Sequence, residues 1–358
     1  MGWKSRGGIL GVASALAVTA SAIGLAAPIV VPPGGSVQAV IDAATPGAVL
    51  ELDVGTYRGS LVIDRSVTLR GAGEATAIEG TEAGAAVRIR GDGISVHLEN
   101  LTTCGGTGWE GHGIQIEGAP TVELNGVTVT KNLWCGIWAR DHAILSLANC
   151  RIVENGTHGL YTWDFARVDL RDCEISRNKT HGVLALHSSE LELADCTVSS
   201  NLSGVWAWDG TRVHATRTAI IGNAQNGLAA QNGALIDLSD CIVGENGGLG
   251  LWLSDSSRGV LDACEVRANG ADGVLLEKDG IAEFYHCTIK DNAQAGIRAA
   301  TPSCTGTFDP GAPFKGWVKG SGNVVPGPGK DGANLEVGLC PTYPGSIWPR
   351  GFLANTAP

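Results

Sequence analysis

Aromatic residues and carboxylates recur through the middle of this chain at a nearly constant spacing. The aromatic set, with one arginine among its members, is Trp138, Arg140, Tyr161, Trp163, Trp206, Trp208 and Trp252. A second set stands beside it in the sequence and comprises Asp141, Asp164, His187 and Asp209. Aromatic faces stack on the C–H groups of sugar rings, and carboxylates accept hydrogen bonds from sugar hydroxyls. The pattern therefore predicts a groove that binds a carbohydrate chain.

The same acids could take part in catalysis. Carboxylates on adjacent stacked strands lie about 5 Å apart and those two strands apart about 10 Å, which brackets the separations used by retaining and inverting glycosidases. Asp141, Asp164 and Asp209 are the candidate acids, and His187 is the candidate proton carrier between them. Any column of acids in a stacked structure has this spacing, so solvated turn residues are the alternative interpretation.

A third set of residues could bind a metal ion. His112, Cys135, His158 and His181 occupy one position in four successive repeats. Imidazole and thiolate groups are ligands for copper and zinc, and two of the acids could also be bridged by calcium. No cofactor motif is evident, however, and a polar column of turn residues explains the same four positions.

A regular glycine repeat predicts the elements that hold these side chains. The glycines recur every 23 residues, with one interval of 22, and are Gly113, Gly136, Gly159, Gly182, Gly204, Gly227, Gly250, Gly273 and Gly296. Each is followed by three pairs of mostly apolar residues, the two members of a pair separated by one residue, which is typical of short strands with one buried face. Three strands per cycle without a helical period predict one coil of a parallel β-solenoid. Regular coils are expected over residues 87–300.

Two more columns follow the same period. A mostly cysteine column is predicted to point inward as small apolar groups and comprises Cys150, Cys173, Cys196, Thr218, Cys241, Cys264 and Cys287. An unbroken asparagine column comprises Asn132, Asn155, Asn178, Asn201, Asn223, Asn246, Asn269 and Asn292. Because stacked coils lie about 4.8 Å apart, these amides can hydrogen-bond to one another as a ladder. We expect this ladder to be structural.

The repeat, together with the segment PPGGSVQAVIDAATPGAVLELDVGTY that begins at Pro32, resembles the right-handed parallel β-helix, pectin lyase-like family. The resemblance covers roughly residues 30–300. It implies an all-β, single-stranded right-handed solenoid whose open end is closed by a short helix at about residues 37–44, with Ser36 as its N-cap. It is specific for the fold rather than for an activity.

Two finer resemblances bear on activity. Gly111-His112-Gly113 is similar to the Gly-His-Gly element of polygalacturonases, but the Asp-Asp pair that accompanies this element is missing, so that activity is not inferred. The column of His112, Cys135, His158 and His181 resembles the idea behind periplasmic copper-maturation β-helix proteins. A Cys104–Cys135 disulfide, which an oxidising compartment would permit, would remove the thiolate from that column.

The ends of the chain differ from its middle. Lys4 and Arg6 precede an apolar run, so residues 1–27 are predicted to be a signal peptide or, if uncleaved, an N-terminal membrane anchor. Residues 28–300 are assigned to the β-helix. Residues 301–358 are assigned to a loop-rich cap or covering tail, which a Cys304–Cys340 disulfide would tether. We expect a secreted, periplasmic or cell-surface monomer.

The net charge limits the partners of this protein. A formal charge of −11 and a pI near 5.2 argue against nucleic acid, anionic membrane surfaces and strongly anionic polymers. A membrane contact is expected only through an uncleaved N-terminal segment. The sequence favours a protein that binds extracellular or cell-wall polysaccharide, with cleavage of that polysaccharide left open. The alternatives are a non-catalytic structural or adhesive solenoid and a copper-maturation protein.

Overall fold

The computed structural model describes residues 27–300, 317–325 and 335–338. Almost all regular structure in these residues consists of short β-strands that pair in parallel in three sheets, which we name A, B and C. Each regular coil passes through sheet C, then sheet A, then sheet B. The predicted all-parallel β-solenoid with coils of about 23 residues is therefore confirmed.

Each of the three sheets runs along the solenoid and gains one strand per coil. Sheet A contains, within the described residues, Ile29–Val31, Ala48–Leu52, Val67–Gly71, Ser95–Glu99, Thr121–Asn125, Ile144–Ala148, Arg167–Arg171, Glu190–Ala194, Arg212–Thr216, Leu235–Ser239, Arg258–Asp262, Ile281–Tyr285 and Trp317–Ser321. Sheet B contains Gly55–Arg58, Thr76–Glu79, Thr102–Cys104, Thr128–Thr130, Arg151–Val153, Glu174–Ser176, Thr197–Ser199, Ala219–Ile221, Ile242–Gly244, Glu265–Arg267 and Thr288–Lys290. Sheet C contains Leu61–Ile63, Val87–Arg90, Ile114–Glu117, Ile137–Ala139, Leu160–Thr162, His181–Ala185, Ser203–Ala207, Leu228–Ala230, Leu251–Leu253, Val274–Glu277, Ile297–Ala300 and Leu335–Gly338.

A short helix, Val37–Ala43, lies at the N-terminal end of the solenoid, as predicted. Ser36 caps it by accepting a hydrogen bond from the backbone N–H of Ala39 at 3.2 Å. The Gln38 side chain both donates to the carbonyl of Val62 and accepts from its N–H, at 3.0 and 2.8 Å. The helix thereby satisfies backbone groups at an edge of sheet C that would otherwise be open. Within the described residues, no helix has the length and apolarity needed to cross a bilayer.

The cysteine column packs inside the solenoid as predicted. Its cysteines are buried and carry free thiols. Each Sγ lies against backbone carbonyls of its own coil and of the preceding one, as Cys173 does with Arg171 and Leu147 at 3.2 and 3.7 Å. Stacked thiols therefore fill this column as small apolar groups that satisfy their own weak donors.

The asparagine ladder is present along the whole column. Each Nδ2 donates to the Oδ1 of the next asparagine, and the seven distances run from 2.9 to 3.2 Å. All eight side chains are buried. Each ladder amide also bonds backbone groups at the turn between sheets B and C, so the ladder provides partners for a bend that could not otherwise pair its own backbone.

The glycine column exists because of this ladder. A Cβ placed on Gly159 would lie 2.7 Å from Asn178 Nδ2 and 2.7 Å from the carbonyl oxygen of Gly182. The same close approach recurs at Gly136 and Gly227. Any side chain larger than hydrogen would push the ladder apart, which explains why both columns keep the same period.

The segment assigned to a loop-rich tail contributes two further strands. Trp317–Ser321 continues sheet A beside Ile281–Tyr285, and Leu335–Gly338 continues sheet C beside Ile297–Ala300. Val318 is fully buried. The sequence pattern does not reveal these strands, because no coil glycine or ladder asparagine precedes them at the usual offset.

Candidate functional site

The outer face of sheet C carries Trp138, Tyr161, Trp206 and Trp252 in one row, with Leu184 and Ala229 between them, and Arg140, Trp163 and Trp208 directly follow the ends of their strands. Parallel register places Trp138 beside Tyr161, and further along the same row it places Trp206 beside Ala229 and Ala229 beside Trp252. We call the set of Trp138, Arg140, Tyr161, Trp163, Trp206, Trp208 and Trp252 the aromatic strip. Trp208 is 42% exposed, and the other strip residues are half-buried. The rings are therefore accessible over the length of the strip.

Neighbouring rings of the strip touch one another. Trp138 stacks on Tyr161 with centroids 6.2 Å apart and planes 16° apart, and Tyr161 meets Trp163 edge to face at 5.6 Å. Trp206 and Trp252 lie two coils apart and still meet at 6.1 Å, because the residue between them in the register is the small, fully buried Ala229.

Three histidines border the strip at the turn between sheets B and C. His112 lies 5.0 Å from the ring of Trp138, His158 and His181 stack at 5.1 Å, and His181 lies 4.9 Å from Trp206. Burial lowers the pKa of His158 to about 3 and that of His112 to about 4, with a smaller contribution from neighbouring basic side chains. Burial also lowers the pKa of His181. All three imidazoles are thus uncharged at neutral pH.

Cys135 belongs to the same column as these histidines. Its buried Sγ contacts Thr157 Oγ1 at 3.3 Å, and burial raises the pKa of the thiol to about 11, so it is not a thiolate at neutral pH. Among the residues that the structure describes, no three His, Cys, Asp or Glu side chains are placed to share one metal ion. Metal binding by His112, Cys135, His158 and His181 stays a prediction.

The disulfide pairings can be placed only in part. Cys104 and Cys135 are free thiols in the structure, so the bridge suggested for them is not formed there. Cys304 and Cys340 lie outside the described residues, as do residues 1–26 of the expected signal segment.

The predicted acids lie together on the turn between sheets C and A. Asp141, Asp164, His187 and Asp209 all have left-handed backbone, with φ of 63°, 58°, 54° and 54°. Asp and Asn tolerate this conformation better than most residues, so the turn itself favours these residue types. Asp141 Oδ2 accepts from the N–H of Gly118 at 2.9 Å, a turn-stabilising contact.

One pair on this turn brings an imidazole close to a carboxylate. His187 Nε2 lies 3.6 Å from Asp209 Oδ2, and the His187 ring stacks on Trp163 at 4.6 Å. The imidazole therefore lies between the indole ring of Trp163 and the carboxylate of Asp209. Catalysis by Asp141, Asp164, His187 and Asp209 remains a prediction. The contact between His187 and Asp209 identifies the pair to test first.

A polar cluster at the N-terminal end of the strip was not recognised in the sequence. Arg140 Nη2 binds Glu117 Oε1 at 2.8 Å, and Gln115 Nε2 binds the same oxygen at 2.7 Å. Arg88 Nη2 then reaches Gln115 Oε1 at 3.0 Å and Glu110 Oε2 at 2.9 Å. Gln115 is fully buried. Extending the outward column one coil back to Arg88 would have revealed the cluster.

A second concave surface lies on the outer face of sheet A. It is a trough of about 720 Å³ whose charged lining includes Arg167, Asp169, Glu192, Arg212, His214 and Asp237. Part of its charge is neutralised internally, as in the 3.1 Å contact between Arg167 Nε and Glu190 Oε2. The trough lacks the aromatic faces that distinguish sheet C.

Comparison with known proteins places the chain in a family. Residues 71–220 and 216–308 match the family model described as right handed beta helix region. The A-module of mannuronan C-5 epimerase AlgE4 from Azotobacter vinelandii superposes with a TM-score of 0.67 at 18% identity, over 84% of this chain and 94% of that chain.

More distant structures share the same architecture. The Dettilon tailspike protein superposes with a TM-score of 0.59 at 15% identity, over 80% of this chain and 61% of that one. The periplasmic alginate epimerase AlgG gives 0.57 at 12% identity, over 81% and 76%. No curated protein sequence matches this chain significantly. These likenesses show a shared fold, and together with the family model they establish that the chain belongs to the right-handed parallel β-helix family.

Proposed function

We propose that this protein binds a polysaccharide along the aromatic strip. The observation that carries the proposal is the row of accessible rings from Trp138 to Trp252 on one face of a single sheet. Rings on stacked strands present repeated apolar faces in a line, and a polymer of sugar rings presents repeated C–H faces in a line. The fold is also shared with proteins whose names identify alginate epimerases.

Removing exposed rings tests the proposal directly. Trp208→Ala and Trp163→Ala should each weaken binding of the full chain to its preferred polysaccharide by about tenfold, since each deletes one stacking platform. Affinity electrophoresis against a panel of uncharged and acidic polysaccharides would identify the preferred polymer, and titration calorimetry with its oligosaccharides would measure the loss. Leu235→Ala, which removes an exposed apolar side chain from sheet A, is the matched control.

The outcomes separate the alternatives. If the strip variants bind like the wild-type protein, the strip is not the binding surface. If no polymer binds to the wild-type protein, a structural or adhesive solenoid becomes the better interpretation.

We also propose that the bound polymer is processed at the edge of the strip, where His187 and Asp209 meet. Mass spectrometry of products would distinguish hydrolysis, which adds water, from elimination, which leaves unsaturated ends. His187→Gln and Asp209→Asn should each abolish product formation while leaving affinity within about threefold, because neither side chain belongs to the stacking row. Product formation that survives both substitutions would remove these residues from the mechanism.

Export to the cell exterior is part of the proposal. It is supported by the positively charged start and apolar run of residues 1–27. N-terminal sequencing of the protein recovered from the culture medium and from the membrane fraction would separate cleavage from anchoring.

A further inference from the structure

The central part of the strip has no charged side chain in its outward positions. Over five coils these positions hold Tyr161, Trp163, Leu184, Leu186, Trp206, Trp208, Ala229, Gln231, Trp252 and Ser254. The histidines that border them on one side are uncharged at neutral pH, and the turn on the other side presents Asp164 and Asp209. A polymer of uronates needs guanidinium or ammonium groups to pair with its carboxylates. In these outward positions it would meet neutral surface, and on the turn it would meet carboxylates together with the ammonium group of Lys278, which is already paired with Asp255.

Guanidinium and carboxylate groups lie together at the N-terminal end of the strip. The guanidiniums are those of Arg88, Arg90 and Arg140, and the carboxylates are those of Glu110, Glu117, Asp141 and Asp92, the last two of which accept hydrogen bonds from the backbone N–H groups of Gly118 and Ala119. Two of the pairs are direct, between Arg88 and Glu110 at 2.9 Å and between Arg140 and Glu117 at 2.8 Å. Arg90 lies beside Glu117 in the strand register, and Arg140 Nε lies 3.8 Å from Asp141. Such a cluster offers donors and acceptors to hydroxyl groups without an excess of positive charge.

Several polar atoms of this cluster lack partners in the described part of the chain. His112 Nδ1, Trp138 Nε1 and Arg140 Nε are buried without a hydrogen bond, and His112 is only 4% exposed. Buried polar atoms without partners cost free energy, and a hydroxyl can serve either a donor or an acceptor.

Two tryptophan side chains lie beside the cluster. Trp109, on a turn that is longer than its counterparts, is 78% exposed and meets Trp134 edge to face at 5.2 Å. Trp134 in turn lies 6.3 Å from His112. An exposed indole next to a hydroxyl-binding network is the combination that holds a single sugar ring by its face and its edge.

We propose that the ligand of the strip is an uncharged polysaccharide and that the cluster of Arg88, Glu117 and Arg140 holds one of its sugar units by the hydroxyls. This inference rests on the proposed function and specifies its substrate class. It separates this protein from the epimerases that share its fold, whose names specify mannuronan or alginate, both of which are polyuronates.

The test measures affinity and charge dependence together. The full chain is titrated by calorimetry, at low and high salt, with hexasaccharides of β-1,4-glucan, β-1,3-glucan and β-1,4-xylan, and with the hexauronates of galacturonate and mannuronate. At least one uncharged hexasaccharide should bind at least about tenfold more tightly than either hexauronate. Its affinity should change by less than about twofold with salt, because screening acts on charge pairs.

Two substitutions in the cluster should differ in their effect on hexauronate binding. Glu117→Gln leaves the Arg140 guanidinium without its main partner, so affinity for the uncharged ligand should fall about tenfold while hexauronate affinity rises severalfold. Arg140→Gln should cause the same loss for the uncharged ligand and no gain for hexauronates. Glu192→Gln in the sheet A trough is the matched control and should change neither affinity. Far-ultraviolet circular dichroism confirms that each variant is folded.

Each result has a defined consequence. Tighter binding of a hexauronate by the wild-type protein, lost in Trp208→Ala, would keep the proposed function and overturn the uncharged substrate class. Unchanged affinity of both cluster variants for the uncharged ligand would overturn the sugar subsite. Absence of binding to every hexasaccharide would overturn the proposed function and this inference with it.

Discussion

The histidines beside the strip illustrate how burial decides the chemistry of a single residue. His112, His158 and His181 have the residue type of a metal ligand or proton carrier, but the neighbouring rings exclude water from them and lower their pKa. His187 has the same residue type and is exposed, and it contacts a carboxylate. The exposed histidine is therefore the better candidate for proton transfer, because a bound polymer and water can reach it.

Acidification should reveal the buried histidines through stability. In the unfolded chain His158 has an ordinary pKa of about 6.5 and binds a proton at pH 4, whereas the folded protein, with a pKa of about 3, does not. The stability that depends on keeping the His158 imidazole uncharged is thus complete above about pH 6.5 and is lost as the pH falls toward 3. We expect His158→Gln to reduce the loss of unfolding free energy between pH 7 and pH 4 by about 3 kcal/mol.

Urea unfolding followed by circular dichroism at both pH values measures this difference. His142→Gln, an exposed histidine that stacks on Phe165, is the control. An equal effect of the two substitutions would show that burial of His158 is not the cause.

The backbone conformation of the turn between sheets C and A partly explains why aspartates occur there. The left-handed conformation of Asp141, Asp164 and Asp209 favours Asp whether or not the side chain has a function. Contact geometry is what distinguishes among them, and it singles out Asp209 through its contact with His187.

Among the elements, the turn between sheets B and C is the most constrained. Ladder asparagines supply hydrogen bonds to backbone groups there, and coil glycines leave room for them. The two columns act as one element, since a side chain on the glycine would occupy the position of the amide.

Asn178→Ala should be strongly destabilising. Its Nδ2 donates to Asn201 Oδ1 and to the carbonyl of Ile152, both at 3.1 Å, and its Oδ1 accepts from the N–H and Nδ2 of Asn155 at 3.1 and 3.0 Å. Removing the amide leaves several buried groups unpaired, which should lower the free energy of unfolding by about 3 kcal/mol or more. Lys179→Ala, an exposed neighbour, should cost less than about 0.5 kcal/mol in the same urea titration. Similar costs at the two positions would argue against a structural ladder.

At the scale of the whole molecule, each coil contacts mainly its two neighbours. Sheet pairing joins strands about 23 residues apart, and the inward, ladder and strip columns all follow this interval. Stability in such a structure is close to a sum over coils and their interfaces. The length of the strip is therefore set by the number of coils.

Deleting one coil in register should preserve the fold. Removal of residues 160–182 joins Gly159 to Val183 and keeps every column aligned, whereas removal of residues 160–181 leaves one extra residue at the junction. A slip of one residue sends inward side chains outward. We expect the first variant to keep cooperative unfolding and to exceed the second by at least about 3 kcal/mol in unfolding free energy.

Thermal and urea unfolding with size-exclusion chromatography compare the two deletions. Equal stability of the two variants would mean that register is not what holds the coils together.

The coil, the ladder and the position of the aromatic row could all be determined from the sequence of this protein. In a solenoid, residues that are one repeat apart in the sequence stack on one another in space. The spacing of Gly159 and Gly182, or of Asn155 and Asn178, therefore predicts which residues are neighbours. The capping helix near Ser36 could likewise be predicted, because its signals are local.

Tertiary structure alone decided what those side chains can do. Several features depend on contacts between side chains of different coils and on how closely these side chains exclude water. They are the burial of Gln115 and Ala229, the lowered pKa of His158, the paired charges of Arg140 and Glu117, and the strands beyond residue 300. The periodicity of the sequence specifies which residues of adjacent coils lie beside one another. It carries no information about the rotamer, the enclosure or the partner that turns a repeated position into a site, because those depend on side chains that break the repeat.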